Sequence, residues 1–531
     1  MIIVLDLTKI QNAVRHEGGI SRRLFLAYGA SLSAIPLLGR RAMGSTGRAR
    51  FTSDPFSVGV ASGDPTARGV VIWTRLAPQP LQPGGGLEPQ PIEVAWEVAS
   101  DESMRDVVSR GTAVATPQLA HSVHVEVNNL APDRWYWYRF RAGDAESSIG
   151  RTRTMPRPDS QPPELRFAFA SCQNYERGLY TAYEHMAKDN LDLVFFLGDY
   201  IYEYEGQDGF VRKHAGKEIQ SLDDYRIRHS QYKMDPLLHG MHARCPWMVA
   251  WDDHEFDNNC ANDISEEAGI DPVDFLIRRA NAYQAYYEMM PLRAASLPRG
   301  PHMQLYRKLS FGRLAEFLVL DTRQYRTDQP NGDGADDIND EAMSPKGSIM
   351  GKRQRGWVQQ SLTGSQARWN VLAQQTMMGL VDHKKGEQCR YAMDSWPGYA
   401  YERIELMRFI NERRVPNPVV LTGDYHANFV NNLRVDDREH NTPVVAAEFV
   451  GTSISSDGNG ADKLDDWEVI TGENPCVQFY NAQRGYVRCT VTPEGWRSDF
   501  QVVEDISRPG VPAKTRASYV IEAGQPGAKP A

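Results

Sequence analysis

The chain has 531 residues, of which 41% are hydrophobic and 24% charged, and a formal net charge of −9. That length leaves room for a large core and more than one domain, and the composition excludes a disordered chain. The acidic balance argues against a nucleic-acid-binding surface, and six cysteines are too few for a disulfide scaffold.

Residues 1–44 read as targeting rather than fold. Ser21-Arg22-Arg23-Leu24-Phe25-Leu26 precedes Ala27–Gly39, an apolar run too short to span a bilayer. Paired arginines before such a run resemble a twin-arginine export signal. This predicts passage through the twin-arginine translocase in a folded state, a mature start near Ser45, and a periplasmic or secreted protein with no stable membrane span after signal removal. Over residues 52–155, Val70–Trp73, Val94–Val98, Val123–Val127 and Trp135–Phe140 alternate or are β-branched and aromatic, with Gly, Pro and Asp between them. They predict a small β-sandwich of the immunoglobulin or fibronectin kind, followed by a proline-rich linker, Pro156–Pro163.

From residue 164 to 506 strands and helices mix. Leu165–Ala170 and Leu193–Leu197 are too short for helices and read as buried parallel strands. Between them Leu179, Ala182, Tyr183 and Met186 fall on one helix face, so the unit reads strand–helix–strand. Trp247–Trp251, Ala315–Leu320, Trp369–Gln374, Val419–Thr422 and Val444–Val450 predict further strands. Pro272–Tyr287, Arg353–Leu362 and Tyr401–Arg413 predict helices. Asn331–Met350 is acidic, Gly-rich and without periodicity, which marks a functional or disordered loop. The tail, 507–531, is rich in Pro, Gly and Ala and is expected to lie loosely on the surface.

Four predicted strand ends carry polar clusters: Ser171-Cys172-Gln173, Gly198-Asp199-Tyr200-Ile201-Tyr202, the run from Asp252 to Asn259, and Gly423-Asp424-Tyr425-His426. In open α/β sheets ligands sit beyond the carboxyl ends of strands, so the clusters point to one crevice. Burying that many unpaired acids is too costly, and a shared cation is the simplest explanation. Cys172, Asp199 and Tyr202 offer a thiolate, a carboxylate and a phenolate, a set for a hard, highly charged ion. Asp424 and His426 fall on one face if the segment is extended, in the manner of a metal clamp. Asp199 and Tyr202 both reach inward if the chain turns there. Cys245, Cys260, Cys389, Cys476 and Cys489 lack metal-type spacing and read as buried free thiols, with a Cys476–Cys489 pairing left open.

With these motifs in place, the chain resembles the PhoD-type alkaline phosphatases, a branch of the calcineurin-like metallophosphoesterases. The likeness covers the export signal, the segment Gly59-Val60-Ala61-Ser62-Gly63-Asp64-Pro65 and all four clusters. It implies an α/β protein: an N-terminal β-sandwich followed by a four-layer αββα metallophosphoesterase domain. It implies ferric iron (Fe3+) held by Cys172, Asp199, Tyr202 and His426, with Asp199 bridging to calcium (Ca2+). Asp424, with Asp253 and Asn259 favoured from the 252–259 run, would complete the calcium side. His254 would act as the catalytic acid. The wider superfamily has Gly-Asn-His where this chain has Asp252-Asp253-His254, so the calcium ligands are the least fixed part. The implied activity is hydrolysis of phosphate mono- and diesters by metal-activated hydroxide, which needs no Ser or Thr nucleophile. Two other functions stand beside it. One is a phospholipase D-like or teichoic-acid phosphodiesterase, with Tyr283–Tyr287 and Trp396–Tyr399 accepting a bulky substrate. The other is a non-catalytic secreted β-sandwich binding protein.

Overall fold

The structure, a computed structural model, describes residues 50–531. The paired arginines and the rest of residues 1–44, expected to be an export signal, lie outside the described residues.

Two sets of parallel strands make the frame. In the first, Leu193–Leu197 lies between Leu165–Ala170 and Trp247–Ala250, parallel to both. In the second, Ala315–Val319, Trp369–Ala373, Pro418–Thr422 and Ala446–Val450 run parallel in that order. The long strand Val477–Val491 joins the sets. Its first half pairs with Asn428–Leu433, a strand antiparallel to Ala446–Val450 at the edge of the second set, and its second half with Leu165–Ala170 of the first. The strands are short and nearly all apolar because both faces are covered. One shared core takes Phe167, Phe195 and Leu197 from the first set and Phe317, Trp369, Val371 and Leu421 from the second.

Helices cover the remaining faces. Leu222–Lys233 and Pro272–Met289 pack with Val194, Phe196, Trp247 and Val249. Gly351–Gly364 and Ala400–Glu412 pack with Leu318, Leu372 and Val420. Capping explains where two of them begin. Ser221 and Asp224 form a reciprocal capping box, and the Asp271 carboxylate accepts the Val273 N–H ahead of Pro272.

Three expectations change, and two open points close. The 52–155 segment forms two sheets about one core, but it is not self-contained. Val60–Thr66 pairs in parallel with Trp247–Ala250, so one of those sheets continues into the parallel strands. The tail is not loose. Ala513–Glu522 pairs antiparallel with Gly495–Val503 and sends Tyr519 and Ile521 into the core. Its Pro and Gly residues misled because they lie mostly outside the strand. Tyr283, Tyr286, Tyr287, Trp396 and Tyr399 are buried packing residues, so they offer no room to a bulky substrate. All six cysteines are free. Cys476 and Cys489 stand thirteen residues apart along one extended run, about 40 Å and far beyond disulfide reach. The 331–350 segment is ordered by a short pairing of Ala335–Asp336 with Tyr391–Ala392.

Candidate metal centre

All the parallel strands of both sets end at one edge, and the four polar clusters meet there. The loops after Leu165–Ala170 and Leu193–Leu197 are laced by their backbones, Cys172 N–H to Gly198 O (3.1 Å) and Gln173 N–H to Asp199 O (3.0 Å). A bridge between Ser171 and Ser453 closes the first set against the second. Two glycines permit the close approach. Gly198 has φ +113°, and a Cβ on it would lie 2.4 Å from the Asp252 Cβ. A Cβ on Gly423 would lie 2.8 Å from the Ser171 side chain. At both positions a larger residue has to push the crevice open.

The candidate ligands share an unusual backbone. Cys172, Asp199, Asn259, Asp424 and His426 all have positive φ, between 47° and 59°. Left-handed conformations cost L-residues about 1–2 kcal/mol each and gather at functional sites. They break the strand's alternation of faces and hold these side chains at the sheet edge. The Asp424-x-His426 segment is therefore not extended, and its two side chains do not clamp one point. His426 joins Cys172 and Asp199, whereas Asp424 joins Asp252 and Asp253. A third group holds Asp199, Asp253 and His254, and within each group the ligand atoms lie within 4.8 Å of one another. Asp199 thus stands in two groups. Tyr202 completes the first, its hydroxyl donating to Asp199 Oδ2 at 2.8 Å and lying 3.3 Å from His426 Nε2. The chain does turn inward between Asp199 and Tyr202.

Of the two asparagines, Asn258 turns its amide to Glu266 at 2.6 Å. Asn259 gives its N–H to Asp253 Oδ2 at 2.8 Å, which ties it to the acid cluster. His254 gives Nδ1 to the buried Glu203 carboxylate at 2.8 Å and stacks on Tyr202, with ring centroids 4.1 Å apart.

Several neighbours had no assigned role in the sequence reading. Arg323, buried, ion-pairs with Asp252 and Asp394 and lies 3.6 Å from both Asp253 and Asp424. The Glu255 carboxylate accepts the N–H groups of Asp199 (3.1 Å), Tyr200 and Asp252 (2.8 Å), bracing two strand ends. Asp457 Oδ2 lies 2.6 Å from His426 Nδ1, and Ser456 Oγ lies 2.6 Å from the Tyr202 hydroxyl and donates to Cys172 O. Carboxylates behind histidines in this way fix ring orientation in metal sites. Arg323, Ser456 and Asp457 come within seven residues of a parallel strand's end, so the rule that found the four clusters also reaches them.

The electrostatics are those of crowded acids. Burial pushes the Asp252 carboxyl well up despite Arg323, pushes Asp424 up to about 7, and with Asp199 pushes Glu255 up to about 8. Burial and the Asp199 charge raise the Cys172 thiol and the Tyr202 phenol. Burial also works against charge on the two histidines, but carboxylates outweigh it. Glu203, Asp253 and Asp199 raise His254, while Asp199 and Asp457 take His426 up to about 9. Three carboxylate oxygens, Asp199 Oδ1, Asp252 Oδ2 and Asp253 Oδ1, are buried with no hydrogen-bond partner. Orphaned oxygens beside a thiol, a phenol and an imidazole are the donor set that cations satisfy. The residues present fit a metal centre.

The PhoD-like phosphatase family matches residues 167–500, and the PhoD-like phosphatase N-terminal domain matches residues 41–156. Alkaline phosphatase D of Bacillus subtilis (strain 168) is 52% identical over 482 residues, covering 90% of this chain and 82% of that protein. A solved structure of PhoD superposes with a TM-score of 0.89 at 52% identity, over 91% of this chain and 93% of that one. The chain belongs to the PhoD-like phosphatases.

Proposed function

We propose that this phosphoric ester hydrolase is exported and works with two kinds of cation in the strand-end crevice. Cys172, Asp199, Tyr202 and His426 would hold ferric iron. Asp199, Asp253, Asn259 and Asp424 would face calcium, and the geometry adds Asp252 to that side. The observation that carries this reading is the set of three orphaned buried carboxylate oxygens inside groups of ligand atoms only 4.8 Å across. Thiolate and phenolate donate charge to a trivalent ion, and carboxylate and amide oxygens suit calcium. The helices over the outer face of each strand set support a four-layer αββα domain, preceded by a β-sandwich that shares a sheet with it.

When bound, such a metal pair neutralises phosphoryl charge and activates water for in-line attack. The chain's own residues do the rest. Arg323 gathers Asp252, Asp253 and Asp424 at one end of the crevice and offsets their repulsion. Glu255 holds the Asp199 and Asp252 backbones in register. With Nδ1 committed to Glu203, His254 has Nε2 left to give a proton to the departing alcohol oxygen. Phosphoryl transfer depends chiefly on positioning and charge, so no covalent nucleophile is required. The polymer-diesterase reading loses its motive because the aromatic residues behind it are core, and an inert binding protein has no need of this ligand set.

Purified protein is expected to carry iron and to be violet from a phenolate-to-iron charge-transfer band. Tyr202→Phe removes the colour and Cys172→Ser most of the iron. If Cys172 is only a core thiol, its replacement costs about 1 kcal/mol of packing and leaves metal content unchanged. A colourless, iron-free and fully active wild type contradicts the iron assignment. Export rests on Arg22 and Arg23. Changing both to Lys traps the precursor in the cytoplasm, and unchanged secretion of that variant refutes the route.

A further inference from the structure

Tyr202, Glu203 and Tyr204 follow one another at the crevice but face differently. Tyr202 and Glu203 are buried, one stacked on His254 and the other bonded to its Nδ1. Tyr204 is turned outward and 40% exposed. Its ring still packs edge-on to the imidazole of His254, centroids 5.4 Å apart and planes at 67°. Its hydroxyl has no hydrogen-bond partner among the described residues.

The backbone beneath that ring is fixed. Ile219 N–H bonds Glu203 O at 3.0 Å and Gly206 N–H bonds Gly216 O at 3.2 Å. A Cβ on Gly206 would lie 2.2 Å from His214 O, so the chain is held tightly against its neighbour. The result is an aromatic face on a rigid base, open to solvent.

A single exposed aromatic residue is ordinary on a protein surface. What separates Tyr204 from that case is its contact with the proposed proton donor. The alcohol oxygen that takes a proton from His254 Nε2 must come within about 3 Å of it. The carbon skeleton attached to that oxygen then lies beside a ring already touching the same imidazole. An aromatic ring there discriminates by shape: flat groups stack on it with a gain beyond simple area, and open-chain polyols do not.

We propose that Tyr204 determines specificity by stacking on the leaving alcohol, so that the site favours esters of flat, ring-bearing alcohols over those of open-chain polyols. The inference rests on the hydrolase reading with His254 as proton donor.

The test compares metal-loaded wild type, Tyr204→Ala and Tyr204→Phe on phenyl phosphate and glycerol 2-phosphate. Tyr204→Ala is expected to raise KM for phenyl phosphate about 3- to 10-fold with kcat little changed, and to leave glycerol 2-phosphate unaffected. Tyr204→Phe keeps the wild-type KM for both. Competitive inhibition gives a reading free of turnover: phenylphosphonate weakens by the same factor in Tyr204→Ala, and methylphosphonate does not. An equal change for both esters, or none for phenyl phosphate, overturns the inference while leaving the hydrolase reading in place. A wild type that hydrolyses neither ester removes both.

Discussion

His254 gives one ring nitrogen to Glu203 and keeps the other for whatever enters the crevice. On the proposed reading it is a proton donor rather than a ligand, although it stands within 4.8 Å of Asp199 and Asp253 atoms. Replacing His254 with Ala is expected to lower kcat about 10²- to 10⁴-fold while metal content, measured on the same preparation, stays at the wild-type level. A variant that has lost its metal reassigns His254 to the ligand set. Residue identities at the site were largely legible in the sequence. Cys172, Asp199, Tyr202, Asp253, Asp424 and His426 all lie where apolar runs give out, and all come to one crevice. Their backbone was not legible: an Asp-x-His pair gives no sign that both residues are left-handed, so the expected clamp became two separate contacts. Glu203 was passed over, and Glu255, though inside the 252–259 run, was given no role, because acids that brace loops look, in a sequence, like acids on a surface.

Helix Leu222–Lys233, which the sequence reading did not anticipate, carries a buried charge at its end. Its last residue, Lys233, is buried with no ion pair among the described residues. Its ammonium lies 4.7 Å from the Trp73 ring centroid and 5.1 Å from that of Tyr200. Its presence also lowers His229, His239 and His242 nearby, each of which burial lowers first. Burial takes the amine from 10.5 down to about 7. The unfolded chain therefore binds a proton at this amine that the folded one does not across that window, and the Lys233 contribution to stability rises with pH from about 7 to 10.5. Each unit is worth about 1.4 kcal/mol. Lys233→Met is expected to show its largest stability gain over wild type at pH 7 and below, shrinking as pH rises toward 10.5. Denaturant midpoints across that range measure it, and a gap independent of pH contradicts the account. Nothing in the helix's residue spacing announces this, because the burial comes from a strand, Gly69–Arg75, distant in sequence. The tail strand Ala513–Glu522 was hidden for a related reason: its partner, not its own composition, orders it.

At the level of the whole chain, two sets of parallel strands end at one edge, and their loops bring Cys172, Asp199, Asp252, Asp253, His254, Asp424 and His426 into groups whose ligand atoms lie within 4.8 Å of one another. Val477–Val491, shared by both sets, and the bridge from Ser171 to Ser453 fix the two halves against each other. Among the described residues no helix is long and apolar enough to cross a membrane. The parallel sets and their strand ends were readable as apolar runs followed by polar clusters. Their joining through one long antiparallel strand was not, since pairing across hundreds of residues leaves no local trace. The whole arrangement stands or falls on the cations. Phosphate ester hydrolysis should cease when the purified protein is exhaustively chelated, with metal analysis confirming calcium loss. Added calcium should restore turnover better than zinc does. Full turnover by protein shown to be free of calcium would contradict the account.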